Sequence, residues 1–245
     1  MRDNVKALVK AFAETFEVPE PIYEFGSLQI GPPGYADLRP YFPRRHYVGC
    51  DMRDGPGVDR IEELDRLSIP DKSVGTVITA DTIEHVFPIF TAFEEMRRVL
   101  KDDGAIIVTS VMDFWIHSHP YDYWRFTPEA IEGLLKPYPL KVIGYQGLPD
   151  FPHTVCGIAF KSYHPDLERR CSVFCERVDR DLLSLERATH QDRSLNGKFK
   201  TARKRLTYKL FGPKSEYTKM VKEYKAAWKI ITPGKPALAD DGSAR

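Results

Sequence analysis

Four short stretches of this chain put polar side chains where chemistry could gather. "IYEFGS" ends an apolar run at Glu24, Gly26 and Ser27, and "YVGCDM" ends another at Asp51 and Met52. "VITADTIEHV" ends a third at Ala80 and Asp81, with His85 four residues on. Past a fourth apolar run, "DFWIHSHPYDYWRF" sets His117, His119, Asp122 and Arg125 among Trp115, Tyr121, Tyr123 and Trp124. A carboxylate about 25 residues after a glycine turn stands where it can accept both hydroxyl hydrogens of an adenosine ribose. Neutral imidazole has the basicity to take a proton near pH 7. Aromatic faces ringed by His, Asp and Arg suit the CH groups and hydroxyls of a sugar. Each feature also has a plainer reading. Asp51 could be a solvated loop charge, and Asp81 could cap a helix begun by Glu84 and His85. Asp122 and Arg125 could form a structural ion pair beneath a lid packed by Tyr123, Trp124 and Phe126.

The elements that must position these residues are legible in the pattern. "PIYEF", "HYVGCD", "VGTVITAD" and "GAIIVTSVM" read as strands. Between the last two, Phe90, Phe93, Met96, Val99 and Leu100 fall at helical spacing and Gly104 follows as a stop signal. "TPEAIEGLL" is a helix capped by Thr127 with Pro128 at its first position, and "PLKVIGYQGL" is a further strand. Continuous apolar strands separated by helices imply a parallel sheet covered on both faces. In such a sheet the ligand lies beyond the carboxyl ends of the strands, where the polar residues above are found. The loop after Gly26 departs from a nucleotide-binding turn. Leu28 and Ile30 stand where glycines would alternate, and Gly31 and Gly34 come late, around two prolines.

The chain has 245 residues, 42% hydrophobic and 29% charged, with a net charge of +1. These values describe a soluble globular protein with one α/β domain and additions. No apolar run reaches the roughly 18 residues of a membrane span. "MRDNVKALVKAFAETF" reads as an amphipathic helix, not a signal peptide. Cys50, Cys156, Cys171 and Cys175 are too few for a disulfide scaffold and point to reduced thiols in the cytoplasm. Cys171 and Cys175 share a helix face and read as packing residues, not half of a zinc site. After about residue 160, "PDLERRCSVFCERVDRDLLSLERA" is a helix pattern, "HQDRSLNGK" a break and "SEYTKMVKEYKAAWKII" a second amphipathic helix. From Lys198 to Lys229 there are eleven Lys or Arg against two acids, and the last residues have the composition of a disordered tail. The expected organisation is an N-terminal helix over 1–19, a catalytic domain over 20–160, a basic helical appendage over 161–231 and a tail over 232–245.

"YEFGS", "YVGCDM", "LSIPDKSVGTVITADTIEHV" and "EEMRRVLKDDGAIIVTSV" resemble, in order and spacing, the successive motifs of class I S-adenosylmethionine (SAM)-dependent methyltransferases. The resemblance covers roughly residues 20 to 145. "DYWRFTPEAI" is similar to a subset of these enzymes met in polysaccharide and cell-surface glycan pathways. The resemblance implies an α/β fold, a Rossmann-like class I methyltransferase sheet flanked by helices, here with a C-terminal helical appendage. It implies that Glu24 and Gly26, with Ser27 nearby, hold the methionine end of SAM. Asp51 would bind the ribose and Met52 pack on the adenine. Glu63 would receive the adenine amino group beside Leu64, with Ala80 and Asp81 near the sulfonium. Gly75 departs from the pattern, standing where the family commonly has an aspartate.

For the acceptor, His119, Asp122, Tyr123, Trp124 and Arg125 are the expected contacts. His85 and His117 are the expected general bases, with Asp81 in the catalytic group. No metal is expected to be required; a divalent ion such as Mg²⁺ is the alternative, with Asp81, His85, His117, His119 and Asp122 as conceivable ligands. The expected reaction is O-methylation of a sugar or glycan hydroxyl. The basic segment would then face solvent, a phosphate-bearing carrier or an anionic membrane surface. Competing readings are an RNA or DNA methyltransferase that uses "KFKTARKRLTYK" as an electrostatic footprint, and a non-catalytic binding module. A fourth reading, an NAD-dependent sugar enzyme, shares the turn and the acidic residue, but this sequence lacks the G-x-G-x-x-G fingerprint such an enzyme carries. The sequence leaves the oligomeric state open.

Overall fold

The structure, a computed structural model, describes residues 1–32, 34–117, 120–191 and 226–233, with side chains left out for 186–191. The break at "HQDRSLNGK" from residue 192, most of the basic segment and the tail beyond 233 lie outside these residues.

Among the described residues, eight strands form one sheet: β1 (Ile22–Phe25), β2 (Tyr47–Asp51), β3 (Arg60–Ile61), β4 (Val74–Ala80), β5 (Leu100–Ser110), β6 (Leu140–Leu148), β7 (Phe151–Phe160) and β8 (Ala226–Ile231). Their order is β3-β2-β1-β4-β5-β7-β6-β8. Strands β1 to β5 pair in parallel, whereas β7 joins β5 antiparallel and β6 and β8 continue in that sense. The sheet is therefore mixed and not purely parallel as expected. The reason lies in the connections: β6 and β7 are two long apolar runs joined by a tight turn at Pro149–Asp150, too short for the crossover that parallel pairing needs. The chain leaves β1 in one direction towards β2 and returns on its other side as β4. That makes the β1/β4 boundary the switch point, and the carboxyl ends there are the natural ligand position.

Helices α1 (Asp3–Thr15) and α4 (Pro165–Gln191) cover one face. Leu8 and Phe12 of α1 pack with Cys171, Phe174 and Val178 of α4 on Ile22, Ile78 and Ile107 of the sheet. Helices α2 (Ile89–Val99) and α3 (Pro128–Leu134) cover the other, with Phe93, Met96 and Ile131 against Val77, Ile106 and Val108. All seven residues of β4 are buried, as a central strand covered on both sides requires. Thr127 caps α3, its hydroxyl accepting from the Ala130 N–H at 3.2 Å, with Pro128 at the first position. All four cysteines are buried free thiols.

Three expectations change. In α2 the inward stripe is Ile89, Ala92, Phe93, Met96 and Val99, and Phe90, about 100° round the helix from its neighbour, is 74% exposed. Gly104 does not end that helix, because pairing of β5 with β4 begins at Leu100. Residues 226–231, read as the end of an amphipathic helix, form β8 on β6, where Trp228 packs on Phe174 and donates to Asp179 at 2.8 Å. The described residues of the appendage are thus part helix and part edge strand. Between β1 and β2 the described residues contain only a 3₁₀ turn, Arg39–Tyr41, since Pro32, Pro40 and Pro43 with Gly31 and Gly34 discourage an α-helix. Leu38 and Phe42 from this connection join the α1 side of the core.

Gly75 also finds its reason. A Cβ there would lie 2.3 Å from the Pro19 carbonyl carbon, so the segment entering β1 occupies the space a side chain would need.

Candidate active site

A cleft of about 550 Å³ opens at the carboxyl ends of β1, β2, β4 and β5. Its floor is Gly26, in the left-handed region at φ +85°, where a Cβ would overlap the Thr82 side chain. Asp51 lines the cleft at the end of β2, Oδ1 accepting from the Arg53 N–H at 3.0 Å. Met52, 50% exposed, offers a flat apolar surface beside it. Glu63 and Leu64 line the same wall, with Glu63 paired to Arg66 at 2.6 Å. The neighbouring Glu62 is turned inward and holds Arg60 and Ser68.

Glu24 and Ser27 do not reach the cleft wall. Glu24 is buried, accepting from the Tyr47 hydroxyl at 2.7 Å. Burial raises its carboxyl to about 7, against the opposing pull of Tyr47 and Arg39. The Ser27 hydroxyl is buried with no hydrogen-bond partner among the described residues. The glycine floor, a carboxylate at the ribose position and a cleft in the size range of cofactor sites together fit SAM.

At the end of β4, Ala80 and Asp81 line the cleft. Asp81 sits at φ +52° and does not cap a helix: the turn Ile83–His85 begins at Thr82 with no side-chain cap. Its carboxylate instead receives Arg2 through two hydrogen bonds, 2.8 and 3.1 Å, and the Thr109 hydroxyl at 3.0 Å. Burial alone would raise this carboxyl, but Arg2 holds it below the usual aspartate range. Arg2 is anchored in turn on the His153 carbonyl and the Thr154 hydroxyl.

His85 and His117 meet across the cleft, ring centroids 4.8 Å apart and 76° between planes. His85 Nδ1 contacts the Tyr121 carbonyl. His117 Nδ1 lies 3.2 Å from Asp122 Oδ2, and the His117 N–H donates to the same oxygen at 2.7 Å. Of the four residues "DYWR", only Tyr123 lines the cleft. The Asp122 side chain is 2% exposed and holds the Arg125 guanidinium at 2.6 and 2.8 Å; Arg125 holds it well below the usual range. Arg125 also donates to the Phe114 and Trp115 carbonyls, 3.1 and 2.9 Å, which pins the loop carrying His117. Trp124 donates to the Val86 carbonyl at 2.9 Å. Asp122, Trp124 and Arg125 thus build the wall. His119 lies outside the described residues.

Sequence reading missed Arg2, Thr82 and Glu84. Glu84 is fully buried, one oxygen accepting from the Ser110 hydroxyl at 2.7 Å; burial, then the neighbouring Asp81 charge, push it up to about 8. The signal was present as the acid before His85, but nothing local says that it turns inward.

A family model described as "Methyltransferase domain" matches residues 46–108, from the start of β2 into β5. No curated protein matches the chain. Among solved structures, a SAM-dependent methyltransferase from Archaeoglobus fulgidus is 15% identical, covering 65% of this chain and 94% of its own, with a TM-score of 0.49. A SAM-dependent methyltransferase from Thermotoga maritima is 17% identical over 64% and 92%, at 0.47. The Burkholderia thailandensis 1,6-didemethyltoxoflavin-N1-methyltransferase, with S-adenosylhomocysteine bound, is 14% identical over 64% and 79%, at 0.47. The family match supports a methyltransferase domain over residues 46–108, and the cleft fits SAM as its cofactor.

Proposed function

We propose that this cleft O-methylates a hydroxyl of a sugar or glycan, with His85 and His117 at the deprotonating end. The observation that carries the reading is the imidazole pair, 4.8 Å apart, in the same cleft as Gly26 and Asp51. Bound there, SAM would supply an electrophilic methyl group on a sulfonium. Gly26 lets backbone approach the methionine end, Asp51 accepts ribose hydroxyls, and Met52 packs on the adenine. Phe87, Tyr121 and Tyr123 line the mouth and are 66%, 59% and 44% exposed, and Trp115, 68% exposed, packs on Phe114 of the same cleft. Such faces stack on the CH surface of a pyranose and leave its hydroxyls to polar groups. With each Nδ1 facing a carbonyl or carboxylate oxygen, the basic lone pair of a neutral ring is on Nε2. That nitrogen removes the acceptor's proton as the oxygen attacks, and holding the reactants in line supplies much of the acceleration.

The test is transfer of labelled methyl from SAM to a panel of glycans, nucleotide sugars and RNA. Label in a sugar ether is the expected product; label confined to nitrogen or to RNA overturns the acceptor class.

A further inference from the structure

We propose that Glu84, His85 and His117 form a site for a divalent first-row cation of the zinc class, set in the wall of the cleft. One carboxylate oxygen and one nitrogen from each imidazole lie within 4.8 Å of one another. Glu84 is wholly buried; Oε2 takes the Ser110 hydroxyl, but Oε1 has no hydrogen-bond partner among the described residues. A buried carboxylate oxygen without a partner is costly. A cation bound where Glu84 meets the cleft would remove that cost. Asp81, three residues earlier, is not available for the role because Arg2 already neutralises it.

Both imidazoles are held as metal-bound histidines are. His85 Nδ1 faces the Tyr121 carbonyl, and His117 Nδ1 faces Asp122 Oδ2 at 3.2 Å and the Trp115 carbonyl at 3.3 Å. A nitrogen facing such acceptors carries the hydrogen, so each neutral ring presents the Nε2 lone pair. A carboxylate behind a ligating histidine orients the ring and raises its basicity. Here that carboxylate is itself locked by Arg125.

Two nitrogens and one carboxylate oxygen suit Zn²⁺ or Co²⁺ and not Mg²⁺, which takes oxygen ligands and keeps its waters. Bonds of about 2.0–2.2 Å would draw the three atoms together by on the order of 1 Å, a side-chain adjustment. Three protein ligands leave a coordination position open, as catalytic sites do. There the ion would take the acceptor hydroxyl oxygen, and its proton would pass to solvent. The oxygen's electron pair then forms the bond to the methyl carbon, and the carbon–sulfur pair returns to sulfur as a neutral thioether. With an ion bound, the imidazoles act by ligation instead of by taking the proton. This role rests on the methyl-transfer reading; the binding of the ion does not.

The test uses the tag-free full chain, stripped with chelator and titrated with Zn²⁺ or Co²⁺ by calorimetry. Bound metal is counted by mass spectrometry, and the visible spectrum of the Co²⁺ form reports its ligands. One equivalent per chain is expected, not displaced by millimolar Mg²⁺. Affinity should fall at least tenfold in Glu84→Gln, His85→Ala and His117→Ala, and about tenfold or more in Asp122→Asn, with circular dichroism verifying each fold. Failure of the unaltered chain to bind one equivalent overturns the site, as does equal affinity in the three ligand variants. SAM titrated into the same protein separates the readings. SAM bound without any ion site overturns the cation proposal alone, whereas ion bound with no SAM affinity supports the site and overturns methyl transfer.

Discussion

Arg2 reaches across 79 positions of chain to clasp Asp81 at the end of β4, with hydrogen bonds of 2.8 and 3.1 Å. The two side chains are 24% and 20% exposed, so solvent screens the pair far less than a surface bridge. Arg2→Met removes the charge and leaves Asp81 half-compensated. A loss of about 3 kcal/mol in urea unfolding is expected; a loss under about 0.5 kcal/mol would place the pair among screened surface bridges. Asp81 is held below its ordinary range, so its contribution is complete above that range and lost as pH falls through it.

Glu24 behaves in the opposite sense. Burial raises it from 4.5 to about 7, so the folded chain keeps a proton that the unfolded chain releases. The stability it contributes is full below 4.5 and lost as pH rises through about 7. Unfolding free energies from urea titrations between about pH 5 and 8 should fall in the unaltered protein, with up to about 1.4 kcal/mol per pH unit coming from Glu24. Glu24→Gln should lessen that dependence and leave the part due to Glu84, which is pushed up to about 8; an unchanged slope would show that Glu24 is ionised in the fold.

Asp51→Ala should raise the dissociation constant for SAM by about 100-fold or more, since two hydrogen bonds to a charged group contribute about 1.5–3 kcal/mol each. Thermal stability should change little, because among the described residues the carboxylate pairs with Arg53, two residues on in the same loop. Calorimetry decides: unaltered affinity would place the ribose elsewhere.

His117→Ala should lower turnover by about 100-fold or more, with SAM affinity retained within about twofold. Equal loss of cofactor affinity would assign His117 to binding, not to the chemistry of the acceptor.

Gly75→Asp should destabilise the protein. Even its Cβ would lie 2.3 Å from Pro19 backbone, so about 1–3 kcal/mol or more is expected. A shift of the thermal midpoint downward checks it; a stabilised variant would mean that the entry to β1 yields readily.

Much of the site was legible because local pattern carries it. Apolar runs ending in polar residues mark strand ends, and strand ends in an open sheet face the ligand. Gly26, Asp51, Met52, Ala80, Asp81, His85 and His117 all line one cleft for that reason. The amino-acid order alone thus determined β1, β2, β4 and β5, helix α2 between the last two and the edge on which chemistry gathers, but not the short β3. Tertiary structure decided what each polar group does there. Only folding brings Arg2 to Asp81, turns Glu84 inward to Ser110, and makes Asp122 and Arg125 a brace behind His117. It also decided that β7 runs antiparallel and that residues 226–231 close the sheet as β8. Periodicity records which face of an element is apolar. It holds no record of which distant partner will neutralise a charge, since that depends on where the intervening turns set the chain.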